Sequence, residues 1–280
     1  MPEPATPEDR ALVEQLDEVW TRIAHLGGTL SEDDWKRATE VPGWTVQDNL
    51  THLSDIESMT MGIPPPDHAV PAGLTHVKND LGARNEVFVD ARRSWAGADA
   101  LAEFVEVTGA RLTQLRGFTT ADFDAESWTP MGPGTVRDLL PFRAFDSWVH
   151  EQDMRRAVGR PGGLEGPAAE AAMDRIVATA GFVIGKKVAP PDGTVVVIEC
   201  TPPLARTVAI VVDAGRARPH DGAAGGTVEP TVRLALDGET YARLACGRLD
   251  PEAALAAGSV AIDGDTALGR RVLDALDFLF

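Results

Sequence analysis

A helix start that occurs twice, each time leading to a histidine, is the strongest constraint on how this chain can fold. The first copy reads Pro42-Gly43-Trp44-Thr45-Val46-Gln47-Asp48-Asn49-Leu50-Thr51-His52. The second reads Gly134-Thr135-Val136-Arg137-Asp138-Leu139-Leu140 and continues through Asp146 to His150. A threonine followed three residues later by an acid is a capping box, in which each side chain satisfies a free amide of the other. The spacing predicts a helix with Val46, Leu50 and Leu53 on one face and His52 beside it. It predicts a second helix running to about Val158. Asp146 and His150 are four apart and project to the same side, which Asp153 shares. Two helices started alike can therefore bring His52, Asp146 and His150 together between them.

The rest of the front half is also helical. Over residues 8–28, Leu12, Leu16, Val19, Ile23 and Leu26 recur every three or four positions. His25 on that segment reads as a surface or packing residue. Gly27-Gly28 stops the segment, and Ser31 caps a short turn with Asp34 and Trp35. Residues 78–95 and 99–117 are two more helices, or one helix broken near Gly97. Pro130 to Gly134 is a turn. Four or five helices make a bundle.

After Gly159 the composition changes to a linker rich in glycine and proline. The expected domains are therefore 1–158, an all-α four-helix bundle, and 159–280, an α+β unit with a small, mainly antiparallel sheet. In the second, a helix is expected at 168–185 and strands at Thr194–Glu199, Thr207–Val212, Thr231–Leu236 and Ser259–Ile262. Short helices are expected at 239–247 and 251–257, and a closing helix at 267–280. Ala214 to Pro230 reads as a mobile hairpin loop, with His220 solvated.

The chain carries 26 Lys and Arg against 43 Asp and Glu, a formal charge of −17. Such a surface repels phosphate backbones and anionic headgroups, which argues against nucleic-acid and membrane partners. No run approaches the roughly 20 apolar residues of a membrane helix. The start, Met1-Pro2-Glu3-Pro4, lacks the positive region and apolar run of a secretory signal. These features point to a cytoplasmic protein. Cys200 and Cys246 lie far apart and without metal-site spacing, so they read as buried thiols.

Two imidazoles and a carboxylate suit a borderline ion such as zinc, at about 2.0–2.2 Å, and leave one position open. Asp153 or Glu151 can orient a ligand histidine from behind. Arg143, three before Asp146, can meet an anionic substrate group. From spacing alone the same residues also describe an ordinary polar helix face. Asp48 and Asp138 read as caps. Trp44, Trp128 and Trp148 read as core or pocket wall. His68 and His76 lie near a loop with no partner at a telling spacing.

The segment from Pro42 to His52, together with Trp148-Val149-His150-Glu151-Gln152-Asp153, resembles the mycothiol-dependent maleylpyruvate isomerase family. The front domain of that family belongs to the DinB-like metal-binding bundles. The back half is similar to the sterol-carrier-like domain often attached to it. The resemblance implies a divalent metal, usually zinc, held by His, Glu and His. The first histidine matches His52 and the last His150, while Asp146 stands where the family has glutamate and is one methylene shorter. Arg143 matches an arginine before the carboxylate, and Asp153 an acid just after the last histidine. The resemblance also implies mycothiol as co-substrate and a small electrophile as partner. The expected activity is thiol S-transfer or isomerisation through a metal-bound thiolate. Two other readings keep the same residues: a metal-dependent hydrolase of a small amide or ester, and a non-enzymatic metal- or lipid-binding module.

Overall fold

Helix starts follow the capping chemistry. In the computed structural model, which describes residues 3–220 and 229–278, Thr45 accepts from the Asp48 amide and the Asp48 carboxylate accepts from the Thr45 amide. Thr135 and Asp138 make the same reciprocal pair. Thr6 with Asp9 and Ser31 with Asp34 repeat it.

The chain divides into two units, Met1–Gly163 and Leu164–Phe280. The first contains α1 (Pro7–Gly27), α2 (Glu32–Trp35), α3 (Val46–Thr60), α4 (Asp80–Arg92), α5 (Gly97–Arg116), α6 (Thr120–Phe123), a hairpin of β1 (Glu126–Thr129) and β2 (Gly132–Thr135), and α7 (Val136–Val158). Helix α1 packs on α5 and α7, and α3 packs on the same two, which closes a four-helix bundle. Leu16, Trp20 and Ile23 of α1, Leu50 and Leu53 of α3, Phe104 and Leu115 of α5, and Leu140 and Trp148 of α7 fill its core.

Helix α3 departs from the others. All thirteen residues from Val46 to Ser58 are buried, and nine of them are polar. A helix buried all round is normally apolar. Some polar groups of α3 find partners inside the bundle, whereas His52 Nδ1 and both Asp55 oxygens have no hydrogen-bond partner, and this places the site.

Sequence and structure differ at several points. The 78–95 and 99–117 segments are separate helices. Helix α5 begins at Gly97 because the Trp35 ring packs there; a Cβ would lie 2.0 Å from Trp35 Cδ1. The turn at Pro130 sits in a short hairpin. Alternation along β1 turns Thr129 inward and leaves Trp128 51% exposed, so Trp128 is not a core residue.

The second unit contains α8 (Pro167–Ala178), α9 (Ala180–Phe182) and a π-helical turn (Val183–Val188), so the expected helix at 168–185 is interrupted. Next come β3 (Val195–Thr201), β4 (Arg206–Asp213), β5 (Arg216–Pro219), β6 (Val232–Asp237), α10 (Gly238–Ala245), α11 (Pro251–Ala256), β7 (Val260–Gly264) and α12 (Thr266–Ala275). The five strands are ordered β5-β4-β3-β6-β7. Only the central β3–β6 pair is parallel, and Val195–Ile198 of β3 are all buried, as a central strand requires. Part of the expected hairpin loop at 214–230 is strand β5, paired with β4. His220 continues that edge, its amide donating to Ala209 O at 2.8 Å. Residues 221–228 of that loop, and 279–280 of the expected closing helix, lie outside the described residues. Cys200 and Cys246 are both buried, and burial pushes the Cys200 thiol up to about 12. Among the described residues no helix is long and apolar enough to cross a membrane.

Candidate metal centre

Helix α3 carries His52 two turns past its cap, and α7 carries Asp146 and His150 one turn apart. Packing of α3 against α7 brings them together. His52, Asp146 and His150 each offer a ligand atom, and these atoms all lie within 4.8 Å of one another. Asp146 Oδ2 is 3.5 Å from His52 Nε2, and Asp146 Oδ1 is 3.6 Å from His150 Nε2. The two imidazole centroids are 4.9 Å apart at a steep angle. Trp44 closes one side, its ring 5.0 Å from His52 and 5.8 Å from His150. Both histidines are buried.

The electrostatics follow from burial and one guanidinium. Burial pushes the His52 pKa down, outweighing the nearby Asp146 carboxylate, so the neutral imidazole is favoured. Burial opposes ionisation of Asp146, yet Arg143, helped by His52 and His150, holds it well below the ordinary carboxylate range. Arg143 Nη1 donates to Asp146 Oδ2 at 2.6 Å, and Arg143 Nε donates to Glu57 Oε1 at 2.7 Å. Glu57 is fully buried, and Arg111 Nε lies 3.6 Å from its other oxygen. A chain of alternating charge thus runs from α5 through α3 to Asp146. Two of the three Arg143 nitrogens are committed to carboxylates of the protein, which the expectation of an anion-binding role did not foresee. Farther along α3, burial lifts the Asp55 carboxyl to about 7 despite Arg84, Arg92 and Arg143.

Asp153 is fully buried, with Oδ2 3.4 Å from His150 Nδ1 and Oδ1 accepting from Arg156 at 2.7 Å. Glu151, the alternative orienting acid, is instead gripped by Arg22 and Arg155. His68 and His76 do have partners, which spacing could not reveal. His68 lies 2.7 Å from Asp90, and His76 lies 3.1 Å from Glu86. Glu86 also accepts from Trp44 Nε1 at 3.1 Å and so anchors the indole beside the imidazoles. Asn49, Glu57, Arg111 and Glu86 escaped the sequence reading. The available signal was the polar density of 47–58, too high for a helix with no exposed face.

The donor set fits a divalent ion. Two imidazoles and one carboxylate converge, and His52 Nδ1 is buried without a hydrogen-bond partner. Among the described residues these three form the one such group of His, Cys, Asp or Glu side chains.

Fold and site together define a four-helix bundle with an interior group of three side chains that could hold a cation, joined to an α+β unit. Residues 16–155, half of the chain, match the model of the mycothiol maleylpyruvate isomerase N-terminal domain, and the chain belongs to that family. Residues 170–277 match the model of the SCP-2 sterol transfer family. Among solved structures the chain is similar to a mycothiol-dependent maleylpyruvate isomerase, at 16% identity and TM-score 0.55, over 92% of this chain and 93% of that one. An alanine variant of a mycothiol-dependent maleylpyruvate isomerase matches with the same identity and coverage and TM-score 0.53. Such identity speaks for the two-unit fold. No curated protein sequence matches the chain.

Proposed function

We propose that this protein uses mycothiol to isomerise a small electrophile, or joins mycothiol to that electrophile through its sulfur, at a divalent-ion site formed by His52, Asp146 and His150. The convergence of those three donors in a member of this family carries the reading. Zinc is the ion that suits two imidazoles, one carboxylate and an open position. When bound, such an ion withdraws charge from a coordinated thiol and favours the thiolate, the nucleophilic form.

The chain's own residues supply the rest. His52 is kept neutral by burial, so its nitrogen lone pair is available near neutral pH. Asp146 brings one negative charge, and Arg143 holds one of its oxygens and limits how it can turn. Trp44 walls the site against bulk water on one side. Arg143 Nη2, buried and without a hydrogen-bond partner, is a donor available to an anionic substituent of the acceptor. Asp153, behind His150, steadies that ring.

The test is turnover of an electrophile by zinc-loaded protein with and without mycothiol. Turnover only with thiol, lost in His52→Ala and His150→Ala, is the expected result. Turnover without thiol contradicts the proposal and favours metal-assisted hydrolysis.

A further inference from the structure

We infer that Asn49 fixes His150 as its Nδ1–H tautomer and so aims the Nε2 lone pair toward Asp146 and His52. Asn49 lies three residues before His52 on α3, is fully buried, and places Oδ1 2.6 Å from His150 Nδ1. The question is whether oxygen or nitrogen of the amide faces the ring, and the surroundings answer it. Asn49 Nδ2 lies 2.8 Å from Thr45 O, a carbonyl that can only accept. It also lies 3.1 Å from Thr39 Oγ1. That hydroxyl spends its own proton on Trp44 O, at 3.0 Å, and so accepts from Asn49. Turning the amide over would set two acceptors against each other at 2.8 Å around a fully buried side chain. The amide oxygen therefore faces His150, and the imidazole must donate from Nδ1.

Two main-chain carbonyls, of Trp44 and Thr45, thus set the direction of every proton in this chain of bonds. Asp153 Oδ2, at 3.4 Å from the same Nδ1, lies beyond ordinary hydrogen-bond length. Arg156 also holds its other oxygen. Asn49 is the dominant partner and acts as a positioning residue. With Nδ1 protonated, a neutral His150 carries its lone pair on Nε2, the atom nearest Asp146. The opposite tautomer would present an N–H to that carboxylate and exclude a cation. The functional consequence rests on the proposed metal site, but the tautomer itself rests on protein hydrogen bonds alone.

Long-range proton–nitrogen correlations on metal-free, full-length protein with nitrogen-15 histidine, at about pH 8 where ordinary histidines are neutral, read the tautomer directly. A His150→Gln variant assigns the signal. The expected wild-type pattern is a protonated Nδ1 and an unprotonated Nε2. Thr39→Val, which leaves the Thr45 carbonyl to hold the Asn49 amide in the same orientation, should retain it, and Asn49→Leu should lose or average it. Zinc affinity should fall about 10- to 100-fold in Asn49→Leu and stay within a few-fold in Thr39→Val. An Nε2–H tautomer in the wild type overturns the inference without need of any variant. An unchanged pattern in folded Asn49→Leu overturns it as well. If the wild type shows the Nδ1–H tautomer yet binds no zinc, the inference stands and the proposed function falls.

Discussion

Helices α3 and α7 begin with the same chemistry and end in different environments. Thr45–Asp48 and Thr135–Asp138 make the same two reciprocal bonds to the backbone, and Thr135 Oγ1 also donates to Asp138 Oδ2 at 2.8 Å. Asp48 is buried, and burial raises its pKa; Asp138 is exposed, and its bonds to Thr135 lower its pKa. The comparison teaches that a cap is a local object, readable in four residues. The charge state of the same carboxylate is a property of what packs over it. Helix α3 is enclosed on every side and carries the buried polar residues Asn49, His52, Asp55 and Glu57, whereas the first turn of α7 faces solvent.

The largest effect should come from cutting the buried link between the two helices. Arg143→Met leaves Glu57 as a buried carboxylate and should destabilise the bundle by about 3–5 kcal/mol. Denaturant unfolding checks this, with the exposed Asp17–Arg116 pair as the comparison, where loss of one partner should cost about 1 kcal/mol or less. An equal cost at both places would break the contrast between enclosed and open surroundings.

Next comes the pH dependence, which should have opposite signs on the two helices. Asp55 titrates at about 7 in the folded chain against an ordinary 3.8. Between those values the folded state holds the extra proton, so stability falls as pH rises through that window, by about 4 kcal/mol at most. Asp55→Asn should flatten that decline. Asp138 is depressed instead, so it stabilises above 3.8 and that contribution is lost as pH falls. Asp138→Asn should alter only the acid limb. Thermal unfolding across pH reads both.

The smallest effect is the most local. Thr45→Ala and Thr135→Ala should each cost about 1 kcal/mol, because each removes one capping hydroxyl. A cost at Thr45 several times larger would show that its cap is coupled to the interior, where Thr45 O also holds the Asn49 amide.

Much of this was legible in the sequence, for physical reasons. Caps, the linker glycines and the period of apolar residues are local signals, and they located the bundle, the sheet-containing unit and the grouping of His52, Asp146 and His150. What escaped depends on contacts between distant segments. Glu57 meets Arg143 across 86 positions, and His76 meets Glu86 only because the loop before α4 folds back. Trp128 misled because hydrophobicity says nothing about which side of a two-residue alternation faces inward. The breaks in the 168–185 helix and the strand at Arg216–Pro219 depend on neighbours rather than on their own residues. Gly185, for example, accommodates Ala217, whose Cβ would lie 2.9 Å from a Cβ at that position.

Metal stoichiometry most directly tests the claim that two helices present one cation site. Protein loaded with zinc and dialysed against metal-free buffer should retain about one ion per chain, as three-donor sites with an open position do. His150→Ala, folded by circular dichroism, should retain none. A wild-type chain that emerges free of zinc, or a His150→Ala variant that keeps its ion, would contradict the account.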